Sequence, residues 1–131
     1  MSYGMDFVRY GLSINAIELV LEGRKLKSGR LSPYFFNSGL FKTGASLLRL
    51  AKAYAVSITN QRTVPDVIFG PSYKGSAIAV ATVVMIGGRI GYAYDRKEAK
   101  DHGEGGLVVG SDLAGKKVVL VDDVMTSGSS L

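Results

Sequence analysis

Two adjacent carboxylates, Asp122 and Asp123, follow at once on the apolar run Val118-Val119-Leu120-Val121. After Val124-Met125 comes Thr126-Ser127-Gly128-Ser129-Ser130. Paired acids are costly to bury alone, so they must meet solvent, a cation or hydroxyl donors. The small residues beyond them expose backbone N–H groups and hydroxyls that can wrap a phosphate, and a helix starting there would add its dipole. A ribose 5-phosphate has the matching chemistry, with a dianion at one end and a vicinal diol in the middle. The competing reading is an ordinary strand, an Asp turn and a Ser/Thr helix cap. The order of apolar strand, acid pair and Thr-x-Gly loop favours a phosphorylated ribose.

Further segments carry charge or flat apolar surface. Phe69-Gly70-Pro71-Ser72-Tyr73-Lys74-Gly75 has the glycine spacing of a P-loop. It departs at the next positions, where Ser76-Ala77 stand in place of Lys and Ser/Thr. Residues 96–106 read Arg-Lys-Glu-Ala-Lys-Asp-His-Gly-Glu-Gly-Gly, which by composition is a solvated surface loop. His102 is the sole histidine, so protein nitrogen alone cannot build a metal site there, and its protonation depends on its surroundings. Near the N-terminus, Phe35-Phe36 offers a flat wall for a ring. In one strand they point to opposite faces, so at most one presents its side chain to a ligand. Lys27 offers a point charge nearby in sequence.

These groups need elements to hold them. Residues 6–13 read as the end of a short helix, with Phe7, Tyr10 and Gly11 on one side. Residues 19–27 and 33–37 are extended runs around a tight turn at Ser28-Gly29-Arg30. Residues 44–59 have helical apolar spacing. Short apolar strands at 67–69, 90–94, 107–109 and 118–121 alternate with a small-residue helix at 75–85 and a polar stretch at 95–106. Val118 to Val121 reads as a central, buried strand. The pattern predicts an α/β fold with a mostly parallel sheet covered by helices on both faces. An N-terminal helix and hairpin occupy 1–43 and the core occupies 44–131 of a single domain. In such sheets ligands sit at the carboxyl ends of the strands.

Bulk properties agree. A chain of 131 residues suits one domain. The formal charge of +5 is spread along the chain, and the densest cluster, at 96–100, is interleaved with acid. Small polyanions therefore fit better than nucleic acid. No apolar run approaches the roughly 20 residues of a membrane span. The N-terminus lacks the pattern of a secretory signal, and there is no cysteine. A cytoplasmic protein is expected.

The segment VLVDDVMTSGSS is similar to the phosphoribosyl-pyrophosphate (PRPP) motif of the type I phosphoribosyltransferases. The resemblance implies that Asp122 and Asp123 hold the ribose hydroxyls. It assigns the 5-phosphate to the loop carrying Val124, Met125, Thr126, Ser127, Gly128, Ser129 and Ser130. Lys27-Ser28-Gly29-Arg30 with Ser32-Pro33-Tyr34-Phe35-Phe36-Asn37 resembles the hood hairpin of orotate phosphoribosyltransferases. That match assigns orotate to Phe35, Phe36 and Lys27, with Lys27 also facing PRPP, and the family reaction implies that Thr126 lies near the base. Residues 69–75 resemble the pyrophosphate loop, with Tyr73 and Lys74 on PRPP. Residues 96–106 resemble the catalytic loop that closes over the neighbouring subunit's site in that family, a string purine phosphoribosyltransferases do not share.

The implied reaction transfers the phosphoribosyl group of PRPP to orotate, giving orotidine 5′-monophosphate and pyrophosphate in pyrimidine biosynthesis. Lys74, Arg96, Lys97, Lys100 and His102 would neutralise the leaving pyrophosphate, with Lys100 the most rate-critical. Mg²⁺ would be held mainly through PRPP oxygens and water, with no direct protein ligand. A homodimer is implied, without nucleic acid or membrane. The chain departs from the pattern in three ways. It ends at Leu131, where the family continues with a helix, further strands and an arginine, so an exposed sheet edge and an uncovered apolar face are expected. A fragment, or a missing half supplied by another chain, is the expectation. Ser127 and Ser129-Ser130 stand where the family usually has Ala, Thr and Ala, and the connector at 86–89 is short. Alternatives are a non-catalytic PRPP-binding or regulatory module and a transferase for another base.

Overall fold

A computed structural model describes residues 2–100, 106–125 and 128, with residues 99 and 100 described by their backbone alone. Two compact units result, Met1–Ala53 and Tyr54–Leu131.

In the first unit, helix α1 (Tyr3–Ser13) starts at Ser2, whose hydroxyl accepts the Met5 N–H at 3.3 Å, with Asp6 in its first turn. Both features satisfy or complement the exposed N–H groups of a helix start. The expected apolar side is present: Phe7 stacks on Phe41 at 5.7 Å between ring centroids, and Tyr10 lies 6.2 Å from the same ring. Gly11 is buried, and a Cβ there would lie 2.6 Å from the Ile17 side chain, so the close packing leaves room only for glycine. Strands β1 (Ile17–Lys25) and β2 (Leu31–Phe36) pair antiparallel, with Ile17 opposite Phe36. Their turn closes through Leu26 N–H to the Arg30 carbonyl and Gly29 N–H to the Leu26 carbonyl, each at 2.9 Å. Helix α2 (Gly44–Thr59) opens on a reciprocal cap, in which Ser46 N–H donates to Thr43 Oγ1 and Thr43 N–H donates to Ser46 Oγ. The boundary between the units falls within α2.

The second unit is built on a four-stranded sheet in the order β5-β4-β3-β6, formed by β3 (Val67–Phe69), β4 (Gly91–Lys100), β5 (Gly106–Gly110) and β6 (Val118–Leu120). Strand β3 runs parallel to both β4 and β6, with Ile68 opposite Tyr92 on one side and Val119 on the other. Helix α3 (Lys74–Ile86) packs on β3 and β4 through Gly75, Ile78, Ala79 and Thr82, one face at helical spacing. Ile68, Ala79 and Ala93 are completely buried at this contact. The sheet is mostly parallel and α/β, as expected.

Three expectations need correction. The charged stretch at 96–100 is not loop: β4 continues through it and pairs antiparallel with β5, Lys100 opposite Gly106. Composition misleads here because a hairpin strand needs partners for its backbone and not apolar side chains, so a charged face is compatible with the ladder. Strand β5 joins β4 as an antiparallel neighbour, outside the parallel set. The third correction concerns β6, which has β3 as its one strand neighbour among the described residues. It lies at the sheet edge, with Val118 37% and Leu120 49% exposed. An unalternating apolar strand is buried only where neighbours cover both faces and both edges.

Candidate active site

Parallel strands deliver their carboxyl ends to the same side of a sheet, and β3 and β6 do so here. Val121 N–H donates to the Phe69 carbonyl at 2.9 Å, setting the loop after β3 beside the acids after β6. That loop, residues 70–75, is drawn in by its glycines. A Cβ on Gly70 would overlap the Gly75 carbonyl and lie 2.9 Å from the Ala79 Cβ. One on Gly75 would lie 3.0 Å from the Val121 carbonyl oxygen. The P-loop-like glycine spacing therefore reflects backbone meeting backbone.

The loop is also tied to β4. Gly70 N–H donates to the Ala93 carbonyl at 3.0 Å. Ser72 N–H donates to Asp95 Oδ1, and the Ser72 hydroxyl donates to the Asp95 carbonyl oxygen, both at 2.6 Å. The Ser72–Tyr73 peptide is cis. Thus held, Lys74 places its Nζ 3.7 Å from Asp123 Oδ2, with the lysine 63% exposed and the aspartate 17%. The acid pair has met a cation, one of the partners its sequence required. An exposed lysine contributes little stability through such a pair, about 1 kcal/mol at most. Its ammonium is therefore free to turn to an arriving anion at small cost.

Tyr54 supports the acids from α2. Its hydroxyl donates to the Asp122 carbonyl at 2.6 Å, while Asp123 N–H donates to Asp122 Oδ1 at 2.9 Å. Burial, followed by the negative charges of Asp123 and Asp122, pushes the Tyr54 hydroxyl up to about 12. Tyr54 also borders a hollow of about 430 Å³ beside β6, lined by Ile58, Val119, Val121 and Met125 among others. Because the folded chain holds this proton more tightly than the unfolded one, the stabilisation is complete below pH 10.0 and is lost as pH rises towards about 12. Tyr54→Phe is expected to lower stability near neutrality by about 1 kcal/mol. The deficit should shrink across that alkaline window, as read from urea melts at several pH values. A deficit independent of pH would show that the hydroxyl proton plays no part.

Residues 40–131 match the family model described as a phosphoribosyl transferase domain. The chain belongs to this family.

Among its relatives, the orotate phosphoribosyltransferase of Nitrosococcus oceani is 47% identical over 134 residues, covering 99% of this chain and 60% of that protein. That of Schizosaccharomyces pombe is 50% identical, covering 100% of this chain and 62% of that protein. The crystal structure of the Francisella tularensis orotate phosphoribosyltransferase superposes with a TM-score of 0.77 at 41% identity, covering 95% of this chain and 57% of that one. The chain thus spans about 60% of the length of the curated relatives it matches.

The expected site residues fall into three groups. Lys74, Asp122 and Asp123 meet directly at the ends of β3 and β6. Tyr73 stands beside them, 75% exposed, with Lys97 Nζ 5.7 Å from its ring centroid. Arg96 is half-buried, and its Nε is a buried donor with no hydrogen-bond partner among the described residues. Val124 and Met125 follow the acids on the surface, and Gly128 has a φ of +80°. The second group belongs to the hairpin of the first unit. Lys27 is exposed in its turn, Phe36 packs 6.1 Å from Phe41, and Phe35 carries the Arg24 guanidinium 3.9 Å above its ring. The two rings therefore have separate surroundings, as alternation requires. The third group, His102, Thr126, Ser127, Ser129 and Ser130, lies outside the described residues. Of Lys100 the backbone is described, opposite Gly106. Sequence alone does not single out Tyr54, Ser72 or Asp95. Tyr54 sits in the apolar repeat of α2 and reads as core, and the partners of Ser72 and Asp95 are 23 residues apart.

Proposed function

We propose that this chain carries the PRPP-binding machinery of an orotate phosphoribosyltransferase and transfers the 5-phosphoribosyl group from PRPP to orotate, releasing orotidine 5′-monophosphate and pyrophosphate. The observation that carries the reading is the Lys74–Asp123 approach, which joins a cationic loop and an acid pair at the carboxyl ends of parallel strands. It is supported by relatives of that name at close to half identity.

In this reading Asp122 and Asp123 accept hydrogen bonds from the ribose hydroxyls, and Thr126 to Ser130 hold the 5-phosphate. Lys74 swings from Asp123 to the pyrophosphate, joined by Arg96, Lys97, Lys100 and His102. Positive charge developing on the anomeric carbon is left near the two carboxylates, while cations gather on the leaving group. In this reading Mg²⁺ would be held mainly through substrate oxygens, with Asp122 and Asp123 offering carboxylate to its waters. When bound, the ion adds to the neutralisation of departing pyrophosphate. The working form is read as a homodimer in the cytoplasm, with residues 96–106 of one protomer reaching its partner's site. No helix among the described residues is long and apolar enough to cross a membrane.

The test mixes the purified chain with orotate, PRPP and Mg²⁺ and follows orotate absorbance. PRPP-dependent loss is expected. Binding of PRPP with no loss would replace the transferase by a non-catalytic PRPP module. Consumption of uracil or a purine in place of orotate would move the specificity to another base.

A further inference from the structure

Asp95 puts a carboxylate against a loop that, on the reading above, receives a polyanion. Its charge opposes that task, so the residue must contribute something that offsets it. Two contacts stand out, both to Ser72: the N–H onto Oδ1 and the hydroxyl onto the main-chain carbonyl oxygen, each at 2.6 Å. With Gly70 N–H on the Ala93 carbonyl, three hydrogen bonds fasten the loop to Ala93 and Asp95 of β4. Lys74 lies two residues beyond Ser72, and Lys97, two residues beyond Asp95, stands over Tyr73. The clamp therefore links two cationic stretches that are far apart in sequence.

We propose that Asp95 is a positioning residue, which through Ser72 fixes the loop so that Lys74 faces the site of the pyrophosphate. The inference rests on the phosphoribosyltransferase reading for the identity of the anion. What the clamp uses is the acceptor oxygen and not the negative charge. An asparagine, whose Oδ1 accepts the same N–H, should therefore serve as well, and it removes a repulsion.

The test compares the parent chain with Asp95→Asn, Asp95→Ala and Ser72→Ala in two measurements: amide hydrogen exchange across residues 70–75, and equilibrium binding of PRPP with Mg²⁺. Asp95→Ala is expected to speed exchange of the Ser72 amide and to weaken PRPP binding, each by about tenfold. Asp95→Asn should retain the protection and bind PRPP as tightly as the parent or more so. A merely structural role would not yield this split between Asn and Ala. Parental exchange and affinity in Asp95→Ala would overturn the proposal, as would an Asn variant as impaired as the Ala one. Should Asp95→Ala fail to fold, Ser72→Ala removes one bond of the pair and is expected to loosen the loop by a smaller factor. Unchanged exchange there also overturns it. A parent chain that binds no PRPP sinks the transferase reading, whereas the exchange comparison tests the clamp independently of it.

Discussion

Lys100→Ala is expected to lower kcat by about two to three orders of magnitude, the scale of losing one group that stabilises transition-state charge. Affinity for PRPP should change by less than about tenfold, since on the proposed reading the other cations and the acid pair would still bind the ground state. The residue sits in the β4–β5 ladder opposite Gly106, where alanine keeps the backbone pairing. Loss of activity would then report the ammonium and not a collapsed strand. Steady-state kinetics in orotate and PRPP separate the two parameters, and unchanged turnover would remove the segment at 96–106 from the chemistry. A parallel fall in kcat and in PRPP affinity would instead make Lys100 a general anion-binding residue.

The second large effect is on stability. Gly70→Ala places a methyl group into the Gly75 carbonyl and within 2.9 Å of the Ala79 Cβ. Its main obstacle is backbone at the start of a helix that packs on the sheet, which cannot move as a flexible side-chain tip can. Overpacking of this kind costs roughly 2–4 kcal/mol. For a chain of this size that is a fall in Tm of roughly 10 °C, readable by circular dichroism. Gly75→Ala is the informative comparison. Its nearest neighbours stand 3.0 Å away, and it lies in α3, where alanine gains about 1 kcal/mol of helix propensity. Its loss should be clearly smaller. Equal destabilisation by the two would contradict a loop closed through Gly70.

PRPP affinity follows the same logic. Gly70→Ala displaces the segment that positions Lys74, so binding should weaken even at temperatures where the variant remains folded.

The sequence by itself determined most of the local structure and the chemical inventory. Helix α2 runs over the residues its apolar spacing predicts, and β3 over Val67–Phe69, because each has a periodicity or a pair of flanking breakers that short-range physics reads directly. The acid pair and the Lys74 loop were legible for a related reason. Their residue types are too costly or too unusual at a strand end to be neutral there. The charged half of β4 was not legible, because whether polar residues lie in a strand or a loop depends on a partner, here β5, that supplies the hydrogen bonds. Nor was the edge position of β6, because exposure is a property of neighbours and not of Val118 or Leu120.

Tertiary structure alone decided which groups support the site. The Tyr54 hydroxyl reaches the Asp122 carbonyl across 68 residues, and Ser72 reaches Asp95 across 23. No local pattern encodes such pairs, since each arises where α2 or the β3 loop is brought by packing against a strand that follows later in the chain. The acids at 122 and 123 announced that they needed partners. Only the parallel pairing of β3 with β6 made one of those partners Lys74.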